Sequence, residues 1–116
     1  SDGSPTGFHP RGHGTFAKII EEYVVNRAAL PLEEAVRKMT SYAAALLGVT
    51  DRGSVEVGKA ADLIIFDPTL VRARASYSDP LQLAEGFDVV IVNGEVAFFN
   101  GAALAVASGK VLSPRE

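Results

Sequence analysis

The sequence predicts an α/β chain, helices first and strands last. Three observations predict it. From Phe16 to Leu47 apolar residues recur at helical spacing. From Val49 onward the texture turns extended, with short apolar runs set between turn residues. Val89 to Phe99 then reads as a hairpin, because Asn93-Gly94 favours the positive φ that a two-residue turn requires. Two regions follow: residues 1–52, a loop with two or three helices, and residues 53–116, a set of β strands. They meet near Gly48 to Gly53.

Composition narrows the class. The 116 residues suit one domain or a piece of a larger one. At 47% hydrophobic and 22% charged, the chain is ordinary globular material. The apolar runs, Ala102 to Ala107 among them, are too short to cross a bilayer, and no basic-plus-apolar leader opens the sequence. Membrane attachment and a secretory signal are therefore not expected. The absence of cysteine excludes disulfides and a zinc–cysteine cluster and suits a reducing compartment, so a cytoplasmic location is expected. A net charge of −3 with scattered Lys and Arg leaves no basic footprint, and nucleic acid is not an expected partner. The chain opens Ser1-Asp2-Gly3 without Met, so a processed start or a segment of a longer protein is expected.

Ser1 to Gly14 hold four glycines, two prolines, both histidines and Arg11, which predicts a loop dense in chemical groups. His9 and His13 have the spacing of two ligands on a helix face, but Pro10, Gly12 and Gly14 oppose that helix. Asp2 with the two histidines would make a minimal zinc set. The plainer reading is an exposed loop whose histidines bond to backbone. Thr15 predicts an N-cap for a helix from Phe16 to Asn26, with Phe16, Ile19, Ile20, Tyr23 and Val24 on its buried face. Pro31 opens a second helix, with Glu33 and Glu34 in its first turn and Leu32, Ala35, Val36 and Met39 facing inward. Those two glutamates diverge by about 100°, which fits a solvated turn better than an acid–base pair. Thr40 or Ser41 starts a third helix that packs through Tyr42, Ala43, Leu46 and Leu47 and is capped by Gly48.

Gly53 to Asp67 has the outline of a phosphate-binding loop at Gly58-Lys59. Ala60, however, stands where magnesium needs Ser or Thr, and no helix pattern follows. The plain reading wins: turns around Gly53 and Gly58, then a buried strand from Leu63 to Phe66. A polar connection through Tyr77, Ser78, Asp79 and Pro80 leads to the Asn-Gly hairpin, and a last short strand is expected at Lys110 to Leu112. Leu63–Phe66 and Val89–Val92 lack polar alternation, so both of their faces want cover. The strands are too few for both layers of a sandwich, which implies partner segments outside these residues.

The order of motifs resembles a known family. Ser1-Asp2-Gly3, His9-Pro10-Arg11 and Gly14-Thr15-Phe16 are similar to the end of the barrel in N-acyl-D-amino-acid deacylases (D-aminoacylases), metal-dependent amidohydrolases. Glu34 to Thr40, Leu47-Gly48, Asp51-Arg52-Gly53, Gly58, Ala61 to Pro68, Val92-Asn93-Gly94 and Gly109 to Leu112 continue the match. The second half is typical of many amidohydrolases; the first sixteen residues narrow it to the D-acylase branch. One departure is Ser41-Tyr42-Ala43-Ala44, where the family commonly has a proline soon after Met-Thr.

The resemblance implies the C-terminal segment of a (β/α)₈ barrel (its last loop and outer helices), followed by strands of a small composite β-sandwich. It implies zinc, which lowers the pKa of a bound water to roughly 7. Asp2 is implied as the catalytic carboxylate within reach of that metal, taking a proton and delivering it to the leaving amine. Arg11 is implied as a bidentate clamp on the substrate carboxylate, and His9 as a residue orienting the loop or substrate. Gly14 and Thr15 are expected to be a turn and a helix cap. The main zinc ligands belong to segments absent from this sequence, so the chain alone is expected to be inactive. Implied partners are a small-molecule N-acyl-D-amino acid and the N-terminal barrel and sandwich strands; the sequence leaves open whether the protein is an oligomer. Two alternatives stand beside this reading: a cyclic-amide hydrolase of the same superfamily (hydantoinase, dihydropyrimidinase or dihydroorotase-like), and a non-catalytic packing or oligomerisation module.

Overall fold

The computed structural model describes residues 3–4 and 6–113. Helix α1 runs over Arg11–Lys18, which corrects both the expected start at Phe16 and the expected loop through Gly14. Pro10 stands at its N-cap with φ −59° and ψ −21°, already near helical values, where a missing N–H costs little. Glycine costs about 1 kcal/mol in a helix, but Gly14 gains close packing in return: a Cβ there would stand 3.3 Å from that of Ala75. Thr15 sits inside the helix rather than capping it, its hydroxyl donating to the Arg11 carbonyl at 2.8 Å.

Ile19–Asn26 continues α1 at the wider π spacing, as the Arg27 N–H reaching the Glu22 carbonyl shows. Widening the turn rotates the buried face. Ala17 and Ile20 are buried, whereas Phe16 and Tyr23, expected to face inward, are 50% and 40% exposed. Helix α2 (Leu32–Met39) follows with Ala35 buried, then α3 (Ser41–Leu46), closed by Gly48. Tyr42, Leu46 and Leu47 were expected to pack; they are exposed, because no apolar surface among the described residues covers them.

A four-stranded sheet is ordered β1 (Leu63–Phe66), β2 (Phe87–Val92), β3 (Glu95–Phe99), β4 (Ala102–Ala103). Asn93 and Gly94 have φ of 49° and 84°, the values a tight hairpin demands. The register shifts between Val90 and Ile91, leaving Ala97 as the extra residue of a bulge. Asn100 and Gly101 repeat the turn and bring β4 back against β3. This replaces the strand expected at Lys110 to Leu112, where the chain is irregular. Strand β1 forms as expected but is not buried: Ile64 and Ile65 are half exposed.

The chain gathers into two compact units that interleave in sequence. The first, Ser1–Ala35 with Phe66–Phe87, contains the buried apolar residues Ala17, Ile20, Ala35 and Val71. Beside the enclosed Val71, Arg72 and Glu85 exchange backbone hydrogen bonds of 3.0 Å, and Arg74 pairs with the Glu85 carboxylate at 2.6 Å. The second unit, Val36–Ile65 with Asp88–Glu116, is organised by polar contacts. Arg52 donates to Asp62 and to the Asn93 side chain, and Asp62 accepts the Asn93 N–H at 2.8 Å. Asn93 in turn donates to the Ser108 carbonyl at 2.6 Å. Among the described residues no helix is long and apolar enough to cross a membrane.

Candidate active site

The first unit presents a cavity of about 310 Å³ against the N-terminal turns of α1. Its wall joins His9, Arg11, Thr15 and Lys18 to Ala73, Ala75, Ser76 and Tyr77. Helical spacing brings Arg11, Thr15 and Lys18 to one face, so two cations look into one hollow. Its volume lies in the range of small-molecule sites. Arg11 and His9, both singled out in the sequence, are therefore brought together. The His9 Nδ1 accepts the Arg11 backbone N–H at 3.1 Å, and its Nε2 lies 3.3 Å from the Tyr77 hydroxyl.

Asp2 lies outside the described residues. Its neighbour Gly3 lines a smaller hollow with His9, Arg11 and Gly12, and the Gly3 Cα would be 3.8 Å from a Cβ at Gly12. Gly3 thus lies at the Arg11 end of α1. Of the zinc set Asp2, His9 and His13, Asp2 lies outside the described residues; both nitrogens of His9 are engaged, and no three His, Cys, Asp or Glu side chains gather among the described residues. The described residues therefore do not by themselves make a metal site.

The turn with the outline of a phosphate loop is occupied by its own side chains. Lys59 Nζ donates to Ser54 and Glu56, and strand β1 follows it. The Ser54 hydroxyl and the Lys59 ammonium hold the Glu56 carboxyl below its usual range.

The model of the amidohydrolase family matches residues 1–98. The chain belongs to the amidohydrolase family. Among curated relatives of this amidohydrolase chain, an N-acyl-D-aspartate deacylase of Alcaligenes xylosoxydans xylosoxydans is 40% identical over 118 residues, which cover 100% of this chain and 24% of that protein. Among solved structures, a D-aminoacylase superposes with a TM-score of 0.86 at 38% identity, over 90% of this chain and 22% of the other. An N-acyl-D-glutamate deacylase from Bordetella bronchiseptica, complexed with zinc and a phosphonate mimic of the tetrahedral intermediate, gives 0.75 at 33% identity, over 84% and 22%. The amidohydrolase chain thus spans about a quarter of the length of the proteins it matches.

Sequence reasoning missed Lys18 and Tyr77 as cavity residues. Lys18 could have been found from its spacing to Arg11 once the helix start was known. Tyr77 carried no local signal, since its partner is 68 residues away. The Asp51-Arg52-Gly53, Asp62 and Asn93-Gly94 motifs were visible as family marks, and the structure explains them as one polar clamp.

Proposed function

We propose that the chain is the C-terminal part of a zinc-dependent amidohydrolase that cleaves N-acyl-D-amino acids to a D-amino acid and a carboxylate. The observation that carries this reading is the cavity in which Arg11 and Lys18 face one small-molecule-sized space beside the segment leading to Asp2. An N-acyl amino acid is an anion, and a guanidinium can hold its carboxylate through two parallel hydrogen bonds. Arg11 is assigned that grip, and His9 orients the turn that bears it. Asp2 is the catalytic carboxylate, taking a proton from the attacking water and passing it to the departing amine. Zinc, held mainly by residues outside this chain, would lower the pKa of that water. In this scheme residues 1–52 complete a (β/α)₈ barrel, whose sites lie at the C-terminal strand ends. Residues 53–116 then supply strands to a small composite sandwich. The half-exposed Ile64 and Ile65 support this, since as neighbours in β1 they point to opposite faces of the sheet and both faces call for cover.

Assays of the full-length polypeptide on N-acyl-D-aspartate, -glutamate and neutral substrates test the proposal. Asp2→Asn is expected to lower kcat by about a thousandfold, and Arg11→Lys to raise KM by about tenfold with a smaller change in kcat. A rate within a few-fold of wild type for Asp2→Asn, or an unchanged KM for Arg11→Lys, would remove the corresponding role.

A further inference from the structure

We infer that Tyr77 is a positioning residue for Arg11, acting through His9. The inference rests on the proposed role of Arg11 as the carboxylate grip. Because Nδ1 of His9 accepts the Arg11 N–H, that nitrogen carries no proton, and the neutral ring must bear its hydrogen on Nε2. Nε2 then donates to the Tyr77 oxygen. The rings meet edge to face, with centroids 5.2 Å apart and planes at 77°. The Arg11 N–H thus sets the His9 tautomer, Tyr77 fixes the tilt of the ring, and His9 fixes the backbone amide from which the Arg11 side chain departs.

The contact is the last of three along one extended strap. The Ala73 N–H donates to Glu21 at 2.7 Å, Ala75 packs on Gly14, and Tyr77 meets His9. Alternate residues of the strap thus face α1, as the two-residue period of extended chain requires. Going up the strap, the contacts descend the helix from Glu21 to His9, so the strap lies antiparallel to α1 and its outer end reaches the first turn. Moving Tyr77 would free that turn without undoing the contacts at Gly14 and Glu21. This predicts an effect on substrate grip rather than on folding, in keeping with a tyrosine that is 82% exposed.

The test is made on the full-length polypeptide with an N-acyl-D-amino acid and its primary amide, in which the carboxylate is replaced. The readout is the ratio of kcat/KM for acid over amide. Losing one hydrogen bond of this kind should lower that ratio about fivefold for Tyr77→Phe, mostly through KM. Tyr77→Ala, which also removes the ring edge, should lower it further. Adding Tyr77→Phe to a His9→Phe variant should change little, because the two act as a unit. A nitrogen-15 spectrum of His9 should show the Nε2–H form in wild type, and Tyr77→Phe should shift the Nε2 resonance, which has lost its hydrogen-bond partner, while keeping that tautomer. An acid/amide ratio that Arg11→Gln destroys and Tyr77→Phe leaves intact would overturn this inference alone, as would a wild-type His9 in the Nδ1–H form. A ratio untouched by Arg11→Gln would overturn the grip and the inference together.

Discussion

At Gly86 two stretches of backbone meet with no room for a side chain. A Cβ there would lie 2.4 Å from the Leu70 carbonyl oxygen and 2.6 Å from the Val71 Cα, and φ is +92°. Gly94 has a similar φ of +84°, but a Cβ there would meet nothing within 4 Å. Comparing the two separates steric contact from dihedral strain. Gly86→Ala is expected to cost about 3 kcal/mol or more, because backbone must move beside the fully buried Val71. Gly94→Ala should cost only about 1 kcal/mol, the dihedral part alone. Thermal melts of both variants check this, and equal losses would contradict it. The site was partly legible at this scale. Arg11 and His9 could be picked out because loop chemistry is written locally, whereas Tyr77 and Lys18 acquire meaning only once the strap and the helix start are known.

Among the elements, the paired stretch around Arg72 and Glu85 and the 3₁₀ turn Pro68–Leu70 each carry a hydrogen-bonded carboxylate. The Arg74 guanidinium holds the Glu85 carboxyl below its ordinary range, and the Thr69 hydroxyl and then its backbone N–H do the same for Asp67. Groups with depressed folded pKa values contribute stability above the ordinary carboxylate pKa of about 4, and that contribution is lost as pH falls through the lower folded value. Melting temperature should therefore hold from neutral pH to about 5 and decline below about 4. Glu85→Gln and Asp67→Asn should each lower it at neutral pH and flatten the acid decline; an unchanged acid limb in both would contradict this. Legibility of the elements followed the reach of the forces involved. The hairpin at Asn93-Gly94 was readable because turn chemistry is local. Asn100-Gly101 carried the same signature but was hidden by Ala102 and Ala103, which have weak strand propensity. The helix start at Arg11 was not readable, since Gly12 and Gly14 disfavour it locally and part of the compensation comes from Ala75, far along the chain.

Over the whole molecule, the exposed apolar residues report what the proposed architecture has to cover. Leu46 and Leu47 at the end of α3 are 70% and 66% exposed, and Ile64 and Ile65 in β1 are half exposed. If barrel and sandwich segments close over them, Ile64→Lys in the full-length polypeptide should forfeit about 1.5–3 kcal/mol of burial and add the cost of a buried charge. Differential scanning calorimetry of wild type and variant checks it; an unaltered transition would leave that face solvent-exposed in the intact protein. The general class was readable from periodicity, but exposure was not, because a sequence pattern states which residues want cover and not whether cover is present. The strap across α1 has a consequence for biosynthesis. Its outermost contact joins residues 68 positions apart, so the turn bearing Arg11 cannot take its final form until Tyr77 has been synthesised and has emerged from the ribosome. A nascent chain of this design would complete the wall of the Arg11 cavity only after Tyr77 has emerged, well after Arg11 itself has been made.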